Sequence, residues 1–338
     1  MSELKGAVIG CGFFAQNHLK AWGDVAGAEL AAVCDLDPAK AEAAAALTGA
    51  KAYTDVDAMF ATETLDFVDI ATTMETHEAL VEKAAAARAH VICQKPFAPD
   101  IAAVRRILAT AEAAGIRIMV HENYRFQTPL IELKLAMAAI GEPFFAHIAW
   151  RTGFDVVAGQ PYLAKVERFI ILDLGIHVLD VARFLMGDVE NIYARTQRTM
   201  PGAVGEAQAT MSLGHVSGAV SAVTCTYTNR IDPDPFPETL IEVEGSIGTL
   251  KLKRGFSLEL HGRGKREVSE VAPAVPSWAD PQWAMVQESV LNTQAHFIDC
   301  LQSNEDFQTS GRDNLKTFAL VEAAYASAAS GQPAVPEA

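Results

Sequence analysis

The run Val8-Ile9-Gly10-Cys11-Gly12-Phe13-Phe14-Ala15 constrains this chain more than any other. It joins the end of an apolar strand, residues 4–9, to a helix over 15–22 through G-x-G-x-x-A. Gly10 permits the tight turn, Gly12 lets backbone approach a phosphate, and Ala15 is small enough for helix to pack on strand. Such a turn brings bare N–H groups and a helix N-terminus up to a pyrophosphate. Gly10, Cys11, Gly12, Phe13 and Phe14 are therefore expected to contact a dinucleotide. A ligand-free βαβ turn can carry the same glycines, so the next strand has to discriminate. That second apolar run, 30–34, ends in Asp35, where an acid accepts hydrogen bonds from the adenosine ribose hydroxyls. No arginine comes directly after Asp35 to meet a 2′-phosphate, so NAD is expected rather than NADP.

Composition narrows the class. The chain has 338 residues, enough for two domains, with half of them apolar and a net charge of −15. That field repels nucleic acid and anionic membrane surfaces, and neither is expected as a partner. No basic segment with a long apolar run precedes the first strand, and no stretch approaches the ~18 apolar residues of a membrane span. The five cysteines lack metal or redox spacing. They read as reduced and structural, which points to a cytoplasmic protein.

Strand and helix alternate over residues 1–122. Strands are expected at 66–71, 90–93 and 116–120, with helices at 76–88 and 100–114. This alternation predicts a parallel, doubly wound sheet whose ligands lie beyond the strand C-termini. Thr72, Thr73, Gln94, Lys95, Pro96, His121, Glu122 and Asn123 sit at those ends. From 123 to 338 the pattern changes. A helix at 129–140 leads to a strand at 143–151, a polar loop, and a helix from 173 to 186. Strands come next at 192–198, 207–213, 219–228, 240–243 and 249–253 without intervening helices, which predicts a mostly antiparallel open sheet. Helices at 283–301 and 312–328 close the chain and could pack back on the first domain. The proline-rich stretch 232–237 reads as a loop.

Three clusters could carry chemistry. Lys95, at the end of a strand aimed at the cofactor, can hydrogen-bond a substrate hydroxyl or carry a proton. A solvent-facing loop lysine is the competing reading. Asp173, His177 and Asp180 share one face of an uninterrupted helix by i+4 and i+3 steps, opposite Leu174, Val178, Val181 and Leu185. A histidine flanked by acids can take a hydroxyl proton. Alternatively, Asp173 caps the helix and Asp180 pairs with Arg183. The third cluster is His121-Glu122-Asn123-Tyr124-Arg125, where the first domain hands over to the second, and it could equally be a hydrogen-bonded hinge. No zinc, serine-hydrolase or P-loop signature is present in the sequence.

Taken in order, these motifs resemble the Gfo/Idh/MocA oxidoreductases, the glucose–fructose oxidoreductase and inositol dehydrogenase group. Gly10 to Ala15 with His18 resembles the family fingerprint. Gln94-Lys95-Pro96 resembles its E-K-P motif, and residues 173–180 its D/G-x-G-x-H-x-x-D segment. Ser310-Gly311-Arg312-Asp313 and Ala323-Ala324-Tyr325 resemble its C-terminal region. The resemblance implies an α/β chain: a Rossmann NAD-binding domain, then an α/β domain with a large open, mostly antiparallel sheet that mediates homo-oligomers. It implies oxidation of a sugar or polyol hydroxyl by hydride transfer to nicotinamide C4. His177 would be the base, Asp173 its partner, and Lys95 the group on the reacting hydroxyl. Asp180 would orient His177. Gln94 departs from the family glutamate and removes a negative charge beside Lys95.

Further expectations complete the site. Asp35, Thr72, His77, Gln94 and Lys95 are expected to contact the cofactor. Lys95, Asn123, Arg125, Trp150, Arg151, Asp155, Gln160, Tyr162, Arg168, Asp173 and His177 are expected around the substrate. No resident metal is expected. Two other functions fit the motifs less fully: a non-catalytic dinucleotide-binding sensor, which needs neither Lys95 nor His177, and a hydrolase using transient NAD redox.

Overall fold

The structure, a computed structural model, describes residues 3–232, 234 and 238–338; of the stretch 232–237 read as a loop, residues 233 and 235–237 lie outside the described ones. The chain divides into two compact units, Met1–Asn123 with Val290–Leu315, and Tyr124–Ser289 with Lys316–Ala338. Residues 290–315 therefore belong with the first unit.

The first unit is built on six strands, β1 (Leu4–Ile9), β2 (Ala28–Cys34), β3 (Lys51–Tyr53), β4 (Phe67–Ile70), β5 (His90–Gln94) and β6 (Ile118–His121). They form one parallel sheet in the order β3-β2-β1-β4-β5-β6. The order reverses direction between β1 and β4, which places the ligand crevice beyond the C-terminal end of β1. Five helices connect the strands: α1 (Ala15–Trp22), α2 (Pro38–Thr48), α3 (Val56–Thr62), α4 (His77–Ala86) and α5 (Ile101–Ala114). Their ends obey local chemistry. Asp37 accepts from the Ala39 N–H, Pro38 opens α2, and Gly49 closes it with φ of 77°. Asp100 and Gly115 bracket α5 in the same way. All of β4 is buried, as expected of a strand covered on both faces. Gly6 breaks the apolar run of β1 for a packing reason: a Cβ there would lie 2.1 Å from the Phe67 ring.

The second unit holds an eight-stranded sheet of β7 (Pro143–Arg151), β8 (Val189–Gln197), β9 (Gln208–His215), β10 (Val220–Thr226), β11 (Glu238–Gly245), β12 (Gly248–Lys253), β13 (Ser257–Gly262) and β14 (Lys265–Glu270). The order is β14-β13-β12-β11-β7-β10-β9-β8, antiparallel except where β7 meets β10. Helices α6 (Thr128–Ala136) and α7 (Val156–Gly159) flank β7 in sequence. Next come α8 (Ile176–Met186), α9 (Ala284–Ser303) and α10 (Gly311–Ser330), the last two crossing the unit boundary in sequence. Among the described residues no helix is long and apolar enough to cross a membrane. The five cysteines are free and buried.

One expectation needs correction. Residues 173–186 are not a single α-helix with an apolar and a polar face. Ile171–Gly175 form a wide π-helical turn, α8 starts at Ile176, and His177, Asp180 and Arg183 are as buried as their apolar neighbours. The helix is packed on all sides, so polarity there marks internal pairing rather than a solvated stripe.

Candidate active site

In the first unit the turn after β1 has the form the sequence predicts. Gly10 has φ of 96°, and its N–H donates to the Cys34 carbonyl at 2.8 Å. A Cβ on Gly10 would come within 2.8 Å of the Ala71 carbonyl oxygen and 2.7 Å of Thr72 Cγ2. By contrast, a Cβ on Gly12 would meet nothing within 4 Å. Helix α1 begins without a side-chain cap. The open side of Gly12 and this uncapped N-terminus suit a diphosphate, which would need the space and the N–H groups. Asp35 holds the turn: its Oδ2 accepts from the Cys11 N–H at 2.7 Å and its Oδ1 from the Asp37 N–H at 2.9 Å. Phe13 is exposed, while Phe14 stands edge-on to His18 at 5.6 Å.

Two glycine variants separate structure from ligand. Gly10→Ala is strained in backbone and side chain, a cost of order 1–3 kcal/mol, and should lower the melting temperature of the free protein. Gly12→Ala should melt as the parent does yet weaken NAD binding at least ~10-fold, because its methyl enters the phosphate space. Melting curves with and without NAD read both, and undiminished NAD affinity in Gly12→Ala would contradict the assignment.

Elsewhere in the first unit, Thr72 Oγ1 lies 2.7 Å from Thr76 Oγ1. His77, expected to contact the cofactor, is fully buried, with Nδ1 3.1 Å from the Phe97 carbonyl and Nε2 3.3 Å from that of Thr72. Burial holds its imidazole below the ordinary range, over the opposing pull of those carbonyls. It ties the end of β4 to the loop after β5. Gln94 also turns inward. Its Oε1 accepts from the Lys95 N–H at 2.7 Å and its Nε2 lies 3.1 Å from His18 Nε2. Lys95 itself is half-buried, and Asn123 is buried.

In the second unit, Asp173 sits in the π-helical turn and its Oδ2 accepts from the Tyr227 hydroxyl at 2.6 Å. Burial, reinforced by the Asp173 carboxylate, pushes the Tyr227 hydroxyl well above its ordinary range, so it stays a donor. Glu206 and Tyr325 shape the turn. The Glu206 carboxylate accepts from the N–H groups of Phe169 and Ile171, and the Tyr325 hydroxyl accepts from the Leu172 N–H at 3.2 Å. Tyr325 in turn donates to Glu206 Oε1 at 2.7 Å. Donors at the start of a helix lack intrahelical acceptors, and a buried carboxylate at that end meets both their hydrogen-bonding need and the helix dipole. Asp173 is thus not an N-cap.

His177 lies one turn along, its imidazole stacked on Tyr124 with centroids 4.0 Å apart and rings 5° from parallel. Asp180 has a partner from outside its own helix. Arg125 forks onto it, with Nε 2.7 Å from Oδ2, and Thr317 donates to Oδ1 at 2.9 Å. Arg183 pairs with Asp188 and donates to Thr317. Arg125, read from sequence as a substrate contact, is therefore the buried counter-ion of Asp180.

A cavity of about 390 Å³ opens in this unit, lined among others by Gly153, Asp155, Tyr227, Thr228 and Asn229. Asp155 caps α7 through Ala158 N–H at 3.1 Å. Tyr162 is exposed and donates to Gln160 at 3.1 Å. Arg151 is exposed at the end of β7, and Trp150 is buried edge-on to Tyr227. Arg168 is paired with Glu322 and lies over the Tyr325 ring at 4.3 Å.

A parallel sheet with a glycine turn at its switch point, then a mostly antiparallel domain carrying Asp173 and His177, defines a dinucleotide-dependent oxidoreductase. Residues 4–122 match the model of an oxidoreductase family with an NAD-binding Rossmann fold, and residues 134–251 match the GFO/IDH/MocA C-terminal domain. The chain belongs to this family. It is 51% identical over 335 residues to a D-apiose dehydrogenase of Rhizobium rhizogenes, covering 98% of this chain and 97% of that one. It is 30% identical over 328 residues to an inositol 2-dehydrogenase of Rhizobium meliloti, covering 95% and 96%. Among solved structures it resembles an oxidoreductase from Agrobacterium radiobacter in complex with NAD+, L-tartaric acid and magnesium. The TM-score is 0.97 at 50% identity, over 99% of this chain and 98% of the other.

Proposed function

We propose that this chain is an NAD-dependent dehydrogenase of a small sugar, with D-apiose the first substrate to test. The observation that carries the reading is its 51% identity, over nearly the whole of both chains, to a D-apiose dehydrogenase. The likeness to a structure holding NAD+ and a polyhydroxy acid, L-tartaric acid, supports it. So does a second unit that offers a cavity whose wall includes Tyr227, the partner of Asp173.

In this reading His177 removes the proton of the reacting hydroxyl as hydride leaves the same carbon. Asp173, held by Tyr227, keeps a carboxylate near that proton's destination. Lys95 places an ammonium on the developing alkoxide and stabilises its charge. When bound, NAD supplies the hydride acceptor at nicotinamide C4. Asp155 and Tyr162 remain the proposed hydroxyl contacts, with Arg151 and Asn123. Stacking on Tyr124 fixes the His177 ring, so proton transfer starts from one orientation rather than many.

The test is NADH absorbance at 340 nm with the purified protein, NAD and a panel of D-apiose, other aldoses and myo-inositol. D-Apiose should give the highest kcat/KM. The highest value with myo-inositol would assign the chain to the inositol dehydrogenases, product without net NADH would favour transient redox, and silence across the panel would favour a sensor. We also propose a cytoplasmic homo-oligomer. Its free thiols and the exposed face of the eight-stranded sheet, where Thr210, Ser212 and Val220 point outward, support that, and light scattering tests the assembly.

A further inference from the structure

We propose that Gln94 is a positioning residue which, with one amide, clamps the backbone of Lys95 and holds a buried histidine, His18, as the neutral Nδ1–H tautomer. The functional half of the claim rests on the dehydrogenase reading; the protonation half does not.

Counting protons fixes each contact in turn. The Lys95 N–H lies 2.7 Å from Gln94 Oε1. Of the two ends of the Gln94 amide only the oxygen can accept an N–H, so this contact fixes which end faces which way. The NH₂ end then faces His18 Nε2 at 3.1 Å. An amide NH₂ cannot accept, so His18 Nε2 offers its lone pair. The ring proton must sit on Nδ1, 2.8 Å from Asp69 Oδ2. No other assignment satisfies every contact. The same Asp69 oxygen also accepts from Trp22 Nε1 at 2.8 Å and Gln294 Nε2 at 3.2 Å. His18 and Asp69 are fully buried and Gln94 nearly so.

The groups that face the His18 ring from the surrounding elements are Asp69 on β4, Gln94 on β5, His121 on β6 at 4.2 Å between ring centroids, and Phe14 at the head of α1. Asp69 is the one carboxylate in that set. Burial raises its carboxyl, but His18, the neighbouring His121 and the Trp22 hydrogen bond outweigh that and hold it below its ordinary range. The result is one buried carboxylate with three donors on one oxygen.

A glutamate at position 94 would face that lone pair with a second carboxylate, and with both acids ionised a neutral imidazole has one ring proton for two acceptors. The glutamate would draw a second proton onto His18. Gln94 thus keeps a second carboxylate away from the His18–Asp69 contact. It also links α1, β4 and β5 to the Lys95 peptide through directional bonds, which is how a strand end holds a reacting group to within a fraction of an ångström.

The test uses the full-length free protein labelled with ¹⁵N-histidine, at pH 7.5, with long-range ¹H–¹⁵N correlation. The His18 signals are assigned by their loss in His18→Asn, or in His18→Gln where the asparagine variant does not fold. The parent should show the neutral Nδ1–H pattern, and Gln94→Glu the imidazolium pattern. An Nε2–H tautomer or an imidazolium in the parent would overturn the proposal, as would a neutral His18 in Gln94→Glu.

Kinetics then read the clamp. Gln94→Leu removes the acceptor for the Lys95 N–H and should lower kcat about 10²-fold. Gln94→Glu keeps an acceptor and should recover to within about ten-fold of the parent. Equal kcat in parent and Gln94→Leu would remove the positioning role. A protein inactive with every sugar but showing the expected His18 spectra would refute the dehydrogenase reading and leave the tautomer assignment intact.

Discussion

Replacing His177 with alanine is expected to lower kcat by ~10²–10⁴-fold in the NADH assay, the usual contribution of a general base. NAD affinity should hold, because the glycine turn and Asp35 belong to the first unit and His177 to the second. The substitution removes a ring packed face to face on Tyr124 at 4.0 Å and leaves a space of imidazole shape against it. Added imidazole should therefore restore part of the lost rate, with an optimum at the pH where imidazole is mostly neutral. Near-normal turnover in His177→Ala would take His177 out of the proton-transfer step. A loss of rate with no rescue by imidazole would leave its role structural.

The second large effect is on stability. Asp180→Ala would leave the Arg125 guanidinium in a site where its side chain is only 7% exposed, with its fork partner gone. Removing one member of a buried pair typically costs about 3–5 kcal/mol, because the remaining charge is uncompensated. Thr317 loses its acceptor at the same time. The variant should melt many degrees below the parent. Arg125→Met combined with Asp180→Leu, which removes both charges, should recover most of the difference. A single mutant that melts with the parent would show that the pair is not where the helix is held.

The first unit is legible in the sequence because its signals are local. The glycine turn, the apolar strands and the Asp and Gly residues bracketing α2 and α5 each act within a few positions. Strand β14, Lys265–Glu270, is not legible, because every residue in it is exposed and no alternation marks it. Nor is β3, only three residues long. In the site, Asp173 and His177 stand out by residue type and spacing. Their partners do not, since Tyr227 lies 54 positions from Asp173 and Tyr325 153 positions from Leu172. The π-helical turn depends on those distant groups, so no reading of residues 171–175 alone could find it. One signal in the sequence does point inward. Asp69 interrupts the apolar run Phe67-Val68-Asp69-Ile70, and an acid inside a buried strand demands partners. His18, Trp22 and Gln294 supply them.

The proposed chemistry requires that two groups far apart in the chain act on one hydroxyl, and a structure of the protein crystallised with NAD and the sugar that gives the highest kcat/KM measures this most directly. Lys95 Nζ and a His177 ring nitrogen should each lie within about 3.2 Å of the same substrate oxygen, with that carbon facing nicotinamide C4. A bound sugar whose oxidisable hydroxyl touches neither group would contradict it.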